Sequence, residues 1–492
     1  MQLQSVIKLF SSKGYLVDAS LVNFNWDNFN FNAFFDYLDK KNIKLITLDE
    51  VNNFNTKPVI VIKKQKIEPQ SESDSNVEII HSFKPEKHKL ELRDWVLHYN
   101  NRYEQIRDFL KARPELNGCF TISRVLSSPN NENISTIGIV RDIKKTKKNN
   151  FLLVIEDQTG EINVIITSRN KNLFSYANDI VLDEVIGVVG IKNNNFIFAN
   201  NIIFPDIPNF EQKYSPDDVN AVFISDIHIG SKMFLENEFQ RFIDWVNGKI
   251  GSEKHKEMAK KVRYIFIVGD LVDGVGIYPA QEKELNIKDI YKQYEVFSNY
   301  ISQIPEYIKI IISPGNHDAV RLAEPQPVID KEFIQSLYDM KNVILVSNPY
   351  TVNIHHIDGF DGFKVLGYHG YSYDYYANNI ERIRNAGGYD AVDELMKFLL
   401  KKRHLTPVHQ GNPIVPMNYD HLVIQKVPDI FISGHIHKSK VGTYKNIINV
   451  CSSCFQSRTT FQEKVGHHPE PARVPIINLK TRKITIMNFS EN

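Results

Sequence analysis

Three cysteines in 492 residues leave no room for a disulfide framework, and such usage fits a reducing cytoplasm. No run of about 18 apolar residues occurs, so no membrane span is expected. Residues Met1 to Phe10 alternate polar and apolar and lack the core of a signal peptide. Neither sign of charge is in excess: 59 Lys and Arg stand against 58 Asp and Glu. Contact with nucleic acid therefore has to come from local basic patches rather than from a global field. There is also no internal repeat of fixed period. What is present is the composition of a globular protein, 42% hydrophobic and 24% charged, in a chain long enough for two to four domains.

Residues 1–58 read as a small helical module. Leu3, Val6, Ile7 and Phe10 have helical spacing, Gly14 supplies a stop, and Phe31, Phe34, Phe35 and Leu38 repeat the pattern. Residues 59–92 are polar, with Glu68-Pro-Gln-Ser-Glu-Ser-Asp-Ser75 at their centre, too little apolar surface to offset the ordering of a chain. A flexible linker is expected there. Residues 93–116 form a connecting helix marked by Trp95, Tyr103, Ile106 and Leu110. From 117 to 208 the pattern turns to β, with five strand runs, a hairpin signal at Asp157-Gln-Thr-Gly160 and a longer link between the third and fourth runs. This layout resembles an OB-fold barrel, whose loops commonly bind oligonucleotides. Lys144, Lys145, Lys147 and Lys148 on the first hairpin loop are the candidate DNA contacts; the plainer reading is a solvated turn. OB barrels also serve as protein-docking platforms.

Residues 217–492 form a large α/β domain in which five apolar runs end in the same way. Ala221–Ile224 runs into Asp226 and His228, and Tyr264–Val268 into Gly269-Asp270 and Asp273-Gly274. Ile308–Ile312 runs into Gly315-Asn316-His317-Asp318, Phe363–Leu366 into His369-Gly370, and Asp429–Ile432 into Gly434-His435-Ile436-His437. Open α/β sheets bind ligands beyond the carboxyl ends of their strands. On an extended segment, residues two apart point to the same side, so Asp226 with His228 and His435 with His437 form pairs.

Adding Asp270, Asn316 and His369 gives seven ligands and no cysteine. That is too many for one tetrahedral zinc ion and suits two divalent ions sharing a carboxylate, with Asp270 the natural bridge. Two such ions clamp a phosphate and activate water between them. His317 could protonate the leaving alkoxide, with Asp273 orienting its ring. Alone, any one of these motifs is weak; five in this order, each closing an apolar strand, describe one site. Cys451, Cys454 and Cys119 read as packing positions, and Arg321 and Arg382 as candidates for phosphate contact. His355 and His356 are marginal candidates for contact with DNA.

The set Asp-x-His, Gly-Asp-x-x-Asp-Gly, Gly-Asn-His-Asp, His and Gly-His-x-His resembles the calcineurin-like metallophosphoesterase superfamily. That resemblance implies a four-layer α/β sandwich with a dinuclear centre. One ion would take Asp226, His228, Asp270 and His437; the other would take Asp270, Asn316, His369 and His435. His317 with Asp273 would form the acid dyad. A narrower resemblance uses Gly274–Leu285, Ala323–Val328, Phe455–Gln462 and His468–Lys480, together with the upstream barrel and the linked N-terminal module. These look like the small subunits of archaeal family-D DNA polymerases. The family implies a 3′→5′ proofreading exonuclease acting on the primer 3′ end beside a large polymerising subunit, with manganese as the working ion. Iron or zinc would also suit the ligands. The related eukaryotic polymerase proteins have lost these ligands; this chain keeps them all. A sliding clamp is a further candidate partner, although Gln4–Phe10 matches a clamp-binding motif only in part. The rival readings are a mainly structural polymerase subunit and a free-standing phosphoprotein phosphatase or cyclic-nucleotide phosphodiesterase.

Overall fold

The computed structural model describes residues 3–18, 21, 26, 31–41, 43–48, 51, 76–85, 89–464 and 466–490. The chain divides into two compact units, 1–66 and 67–492. In the first, α1 (Leu3–Ser12) and β1 (Leu16–Val17) precede α2 (Phe31–Lys40) and β2 (Leu45–Ile46). The expected helices are there, but β1 and β2 also pair in parallel, so the module is not purely helical. Its core gathers Val6, Phe10, Trp26, Phe34 and Leu38, with Phe10 edge-on to Trp26 and Phe34.

The second unit opens with β3 (Val77–Ser82) and α3 (Leu92–Lys111). Of the linker expected over 59–92, residues 59–75 and 86–88 lie outside the described residues, and the strand corrects the expectation over Val77–Ser82. β3 pairs antiparallel with a strand far along the chain, Tyr350–Ile354, at the edge of a sheet. Main-chain hydrogen bonds hold it rather than buried side chains (Ile79 is exposed), so a polar composition gave no sign of order. The barrel follows: β4 (Asn133–Lys145), β5 (Phe151–Asp157), β6 (Gly160–Ile166), β7 (Val185–Asn193) and β8 (Phe196–Ile203). It closes in the order β4-β5-β6-β8-β7, with Val140, Leu153, Ile155, Val164 and Val188 filling its interior.

The elements that frame the site begin with β9 (Asn220–Ile224), α4 (Glu236–Val246), β10 (Val262–Val268), α5 (Ile290–Ile301), β11 (Lys309–Ser313), α6 (Lys331–Tyr338) and β12 (Val343–Leu345). Then come β13 (Tyr350–Ile354), β14 (Phe363–Gly367), α7 (Tyr373–Asn379), α8 (Val392–Lys402) and β15 (Ile430–Ser433). The last are β16 (Lys440–Tyr444), β17 (Ile447–Cys451), β18 (Arg473–Asn478) and β19 (Ile484–Asn488). One sheet runs β12-β11-β10-β9-β18-β19, the other β16-β17-β15-β14-β13-β3. The strands that precede the candidate ligands, β9, β10 and β11 in one sheet and β14 and β15 in the other, are parallel to their neighbours in that set.

Alternation along these strands explains the stacking. Phe223, Phe266 and Val268 of the first sheet join Val365, Ile432 and Val450 of the second in one cluster. Their neighbours Ile224, Ile265 and Ile312 face α4, α5 and α6. Leu366, Phe431 and Cys451 face α7 and α8. Strands buried on both faces read as continuous apolar runs, which is why these stretches stood out.

Helix α3 lies between the barrel and the α/β part. Its Arg102 is fully buried. Arg102 Nε donates to Asp420 Oδ2 at 2.7 Å and Nη1 to the Pro407 carbonyl at 2.7 Å. His404 Nε2 lies 2.9 Å and His98 Nε2 3.3 Å from the same carboxylate oxygen, and the other oxygen accepts from the Leu422 amide. A cavity of about 480 Å³ opens between α3, the barrel and residues 408–410; none of the candidate ligands lines it.

Candidate metal centre

All five expected strand ends meet at one place. Asp226 and Asp270 each lie two residues past their strands, Asn316 three past β11, His369 two past β14 and His435 two past β15. The pairs at 226/228 and 435/437 are not on extended chain, which corrects the reason given for their spacing. Asp226, His228, Asp270, His435 and His437 have φ of +51°, +55°, +51°, +69° and +57°. Left-handed backbone is uncommon for residues with a Cβ and clusters at functional sites. The glycines beside them are required by contact. A Cβ on Gly315 would sit 2.3 Å from Asp270 Oδ1, and one on Gly434 2.6 Å from Asp226 Oδ2.

The side chains converge as two groups joined by Asp270. Asp226, His228 and His437 offer ligand atoms within 4.8 Å of one another, and so do Asp270, His369 and His435. His437 Nε2 is 3.3 Å from Asp226 Oδ1, and His228 Nε2 is 3.1 Å from His437 Nε2. Asp270 Oδ2 lies 3.8 Å from His228 Nε2 and 3.3 Å from His369 Nε2, so it reaches both groups. Asn316 Oδ1 is 3.0 Å from His369 Nε2.

The donor set fits divalent cations. His228 donates its Nδ1–H to Asp273 Oδ1 at 3.0 Å, and His369 donates its Nδ1–H to the Val268 carbonyl at 2.8 Å. Both rings therefore turn Nε2 into the cleft. Asp226 and Asp270 are buried, and among the described residues only imidazoles pair with them. Buried carboxylates without a cation are costly. Oxygen and imidazole donors with no thiolate suit ions of intermediate hardness.

The electrostatics agree. Burial opposes the charge on Asp270, yet the imidazoles of His369, His317 and His228 hold its carboxyl well below the usual range. Burial likewise opposes His369, but the Asp270 carboxylate raises it to about 10. Asp318, buried beside the Asp270 charge, is pushed up to about 7.

The acid dyad differs from expectation. The Asp273 carboxylate serves His228 and accepts from Gln456 Nε2 at 2.9 Å; its Oδ1 lies 4.0 Å from His317 Nδ1. What orients His317 is the Asp273 main-chain carbonyl, which accepts from Nδ1 at 2.8 Å. The relation between the two residues survives, but through the backbone.

Three glutamines escaped the sequence reading. Gln281 donates to the Asp273 carbonyl, Gln456 to its carboxylate, and Gln462 reaches His437 Nδ1 at 3.0 Å. They lie within Gly274–Leu285 and Phe455–Gln462, stretches noted above only for family likeness.

Other candidates fall outside the centre. Arg321 donates to the carbonyls of Ala323 and Pro325 and packs over Phe83, while Arg382 pairs with Asp179 and Glu394. Those guanidiniums already have partners within the chain. All four lysines of the turn are exposed; Lys144 pairs with Asp142 and Lys145 lies over Phe151. His355 is buried between Tyr264 and Asp217, whereas His356 is exposed. Cys451 and Cys454 are free and buried, and Cys119 is half-buried, as packing positions are. Val6 and Phe10 of the Gln4–Phe10 stretch lie in the core of the first unit.

The family model for the B subunits of DNA polymerases alpha and epsilon matches residues 221–441. The DNA polymerase II small subunit of Methanothermobacter thermautotrophicus is 40% identical over 395 residues, 80% of this chain and 79% of that one. That of Archaeoglobus fulgidus is 40% identical over 386 residues, 78% and 75%. That of Methanocaldococcus jannaschii is 40% identical over 391 residues, 79% and 64%. Among solved structures, an archaeal phosphodiesterase superposes on 55% of this chain and 99% of its own, with a TM-score of 0.27 and 13% identity.

Proposed function

The chain belongs to the family of archaeal DNA polymerase II small subunits, and on that premise we propose that it is the 3′→5′ proofreading exonuclease of a complex with a large polymerising subunit. The observation that carries the reading is the convergence of seven oxygen and nitrogen donors from five strand ends, with Asp270 within reach of both groups. One divalent ion would be held by Asp226, His228, Asp270 and His437, the other by Asp270, Asn316, His369 and His435, with manganese the expected metal. When bound, such a pair supplies Lewis acidity at the phosphate and at water. The chain's own residues do the rest. Asp273 and the Val268 carbonyl keep His228 and His369 in the tautomer that turns Nε2 inward. His317, with Nδ1 given to the Asp273 carbonyl, has Nε2 left to protonate the departing 3′ oxygen.

On this reading the two stacked sheets with their helices are the four-layer sandwich of the calcineurin-like superfamily. The barrel is an OB-fold that, with Phe455–Lys480, forms the platform for the large subunit. Lys147 and Lys148 remain candidates for backbone contact with DNA.

The test is manganese-dependent digestion of a 3′-recessed, 5′-labelled DNA duplex by the chain with its large subunit, beside an Asp270→Ala control. A ladder shortening from the 3′ end, absent in the control, is expected. No digestion would leave a structural subunit. Hydrolysis of a small phosphomonoester without action on DNA would instead identify a phosphatase.

A further inference from the structure

We propose that Asp374 is a positioning residue of this centre: its carboxylate holds His435 in the tautomer that turns Nδ1, and not Nε2, toward Asp270 and His369. The inference deepens the reading above and rests on it. His228 and His369 share one arrangement, in which the ring nitrogen away from the cleft is committed to an acceptor. His435 has the same arrangement with its nitrogens exchanged. Its Nε2 lies 3.0 Å from Asp374 Oδ2, while one of its ring nitrogens lies within 4.8 Å of the ligand atoms of Asp270 and His369. The two nitrogens of an imidazole diverge. With Nε2–H donated to Asp374, the nitrogen left for the centre is Nδ1. A carboxylate on the outer nitrogen fixes tautomer and ring plane and raises the basicity of the inner one.

Both partners are held in place. The His435 ring stands edge-on to His369 at 5.3 Å and to Tyr371 at 5.7 Å, and its backbone N–H donates to the Asp226 carboxylate. Asp374 sits in the first turn of α7, which follows His369 directly and is anchored by the fully buried Tyr373 and Tyr376. One loop thus delivers a ligand to the centre and the group that orients another. An acid in a first helical turn is ordinary. What distinguishes this one is that its carboxylate reaches an imidazole of the centre. The side chain is 44% exposed, so the core does not depend on it.

The test is calorimetric titration of the full chain with Mn²⁺, comparing wild type, Asp374→Asn and Asp374→Leu. The wild type should bind two ions. The leucine variant should bind one as before and the other about 10–100-fold more weakly. The asparagine variant, whose amide oxygen still accepts from Nε2–H, should fall between, and undisturbed binding of the first ion reports an intact fold. In ¹⁵N-histidine-labelled protein loaded with Zn²⁺, His435 should show the Nε2–H tautomer, and the leucine variant should lose it. Leucine binding both ions like wild type, or asparagine weakened as much as leucine, would overturn the role of Asp374 alone. A wild type that retains no Mn²⁺ would overturn the metal-centre reading, and this inference with it.

Discussion

Two buried carboxylates, each ringed by histidines, do opposite work in this protein. Asp420 receives the Arg102 guanidinium, His404 and His98 on one oxygen and a main-chain amide on the other. Asp270 receives His369 and His228 on one oxygen and the His317 amide on the other, and no guanidinium or ammonium of the described residues pairs with it. In the first, a permanent cation matches the anion and the histidines stay neutral; burial and the neighbouring Arg102 push His404 down to about 4. In the second, the Asp270 carboxylate draws His369 toward the charged form, while burial keeps His228 below its usual value. The presence or absence of one arginine separates the staple from the proposed metal centre.

His317→Ala should lower exonuclease turnover by about 10²–10⁴-fold. Both Mn²⁺ ions should still bind, as read by calorimetry, because the ring belongs to neither ion's expected ligand set. Undiminished turnover would remove it from the mechanism. On the staple side, Asp420→Ala strands a buried guanidinium and should cost about 3–5 kcal/mol in denaturant unfolding, with Mn²⁺ affinity unchanged. An equal loss of metal binding would mean that the two regions are not independent.

Acid should sharpen the contrast. The folded pKa of His404, about 4, lies below the unfolded value near 6.5, so the unfolded chain takes up a proton first. The stability this ring contributes is complete above pH 6.5 and is lost as pH falls toward 4, about 3 kcal/mol in all. His404→Gln should flatten that part of the pH–stability curve; an unchanged slope would assign it to other groups. The smallest effect expected is from the metal itself. Mn²⁺ at a hundred times its Kd should stabilise the wild type by about 2.7 kcal/mol, and Asp270→Ala by far less. Equal shifts in thermal unfolding would place the ion elsewhere.

The centre was legible because its ligands all end buried strands, and a run such as Tyr264–Val268 advertises both the strand and the place where it stops. What joins those ends from outside was not. Gln281, Gln456 and Gln462 arrive on loops, where an amide has no periodicity to betray it. Asp273 was found, but whether its carboxylate or its carbonyl meets His317 depends on how the loop turns. The left-handed backbone at Asp226 and His228 produces the convergence that an extended segment was expected to give. β3 is held by pairing with β13, a partner some 270 residues away in the chain, and a polar edge strand looks like linker until that partner is known. The lysine and arginine candidates had the weakest basis, being chosen by charge alone, and most have partners within the chain.

The left-handed turns at the ligands carry a consequence for how the protein can change. Each residue with a Cβ held there costs on the order of 1–3 kcal/mol. Glycine at position 228 would relax the backbone and remove a buried ring. Mutational drift toward greater thermal stability therefore runs downhill away from the proposed hydrolysis, and a variant lacking the donors but with a higher melting temperature is the expected product of selection for stability alone. A lineage keeps all seven donors only while something other than folding selects for them.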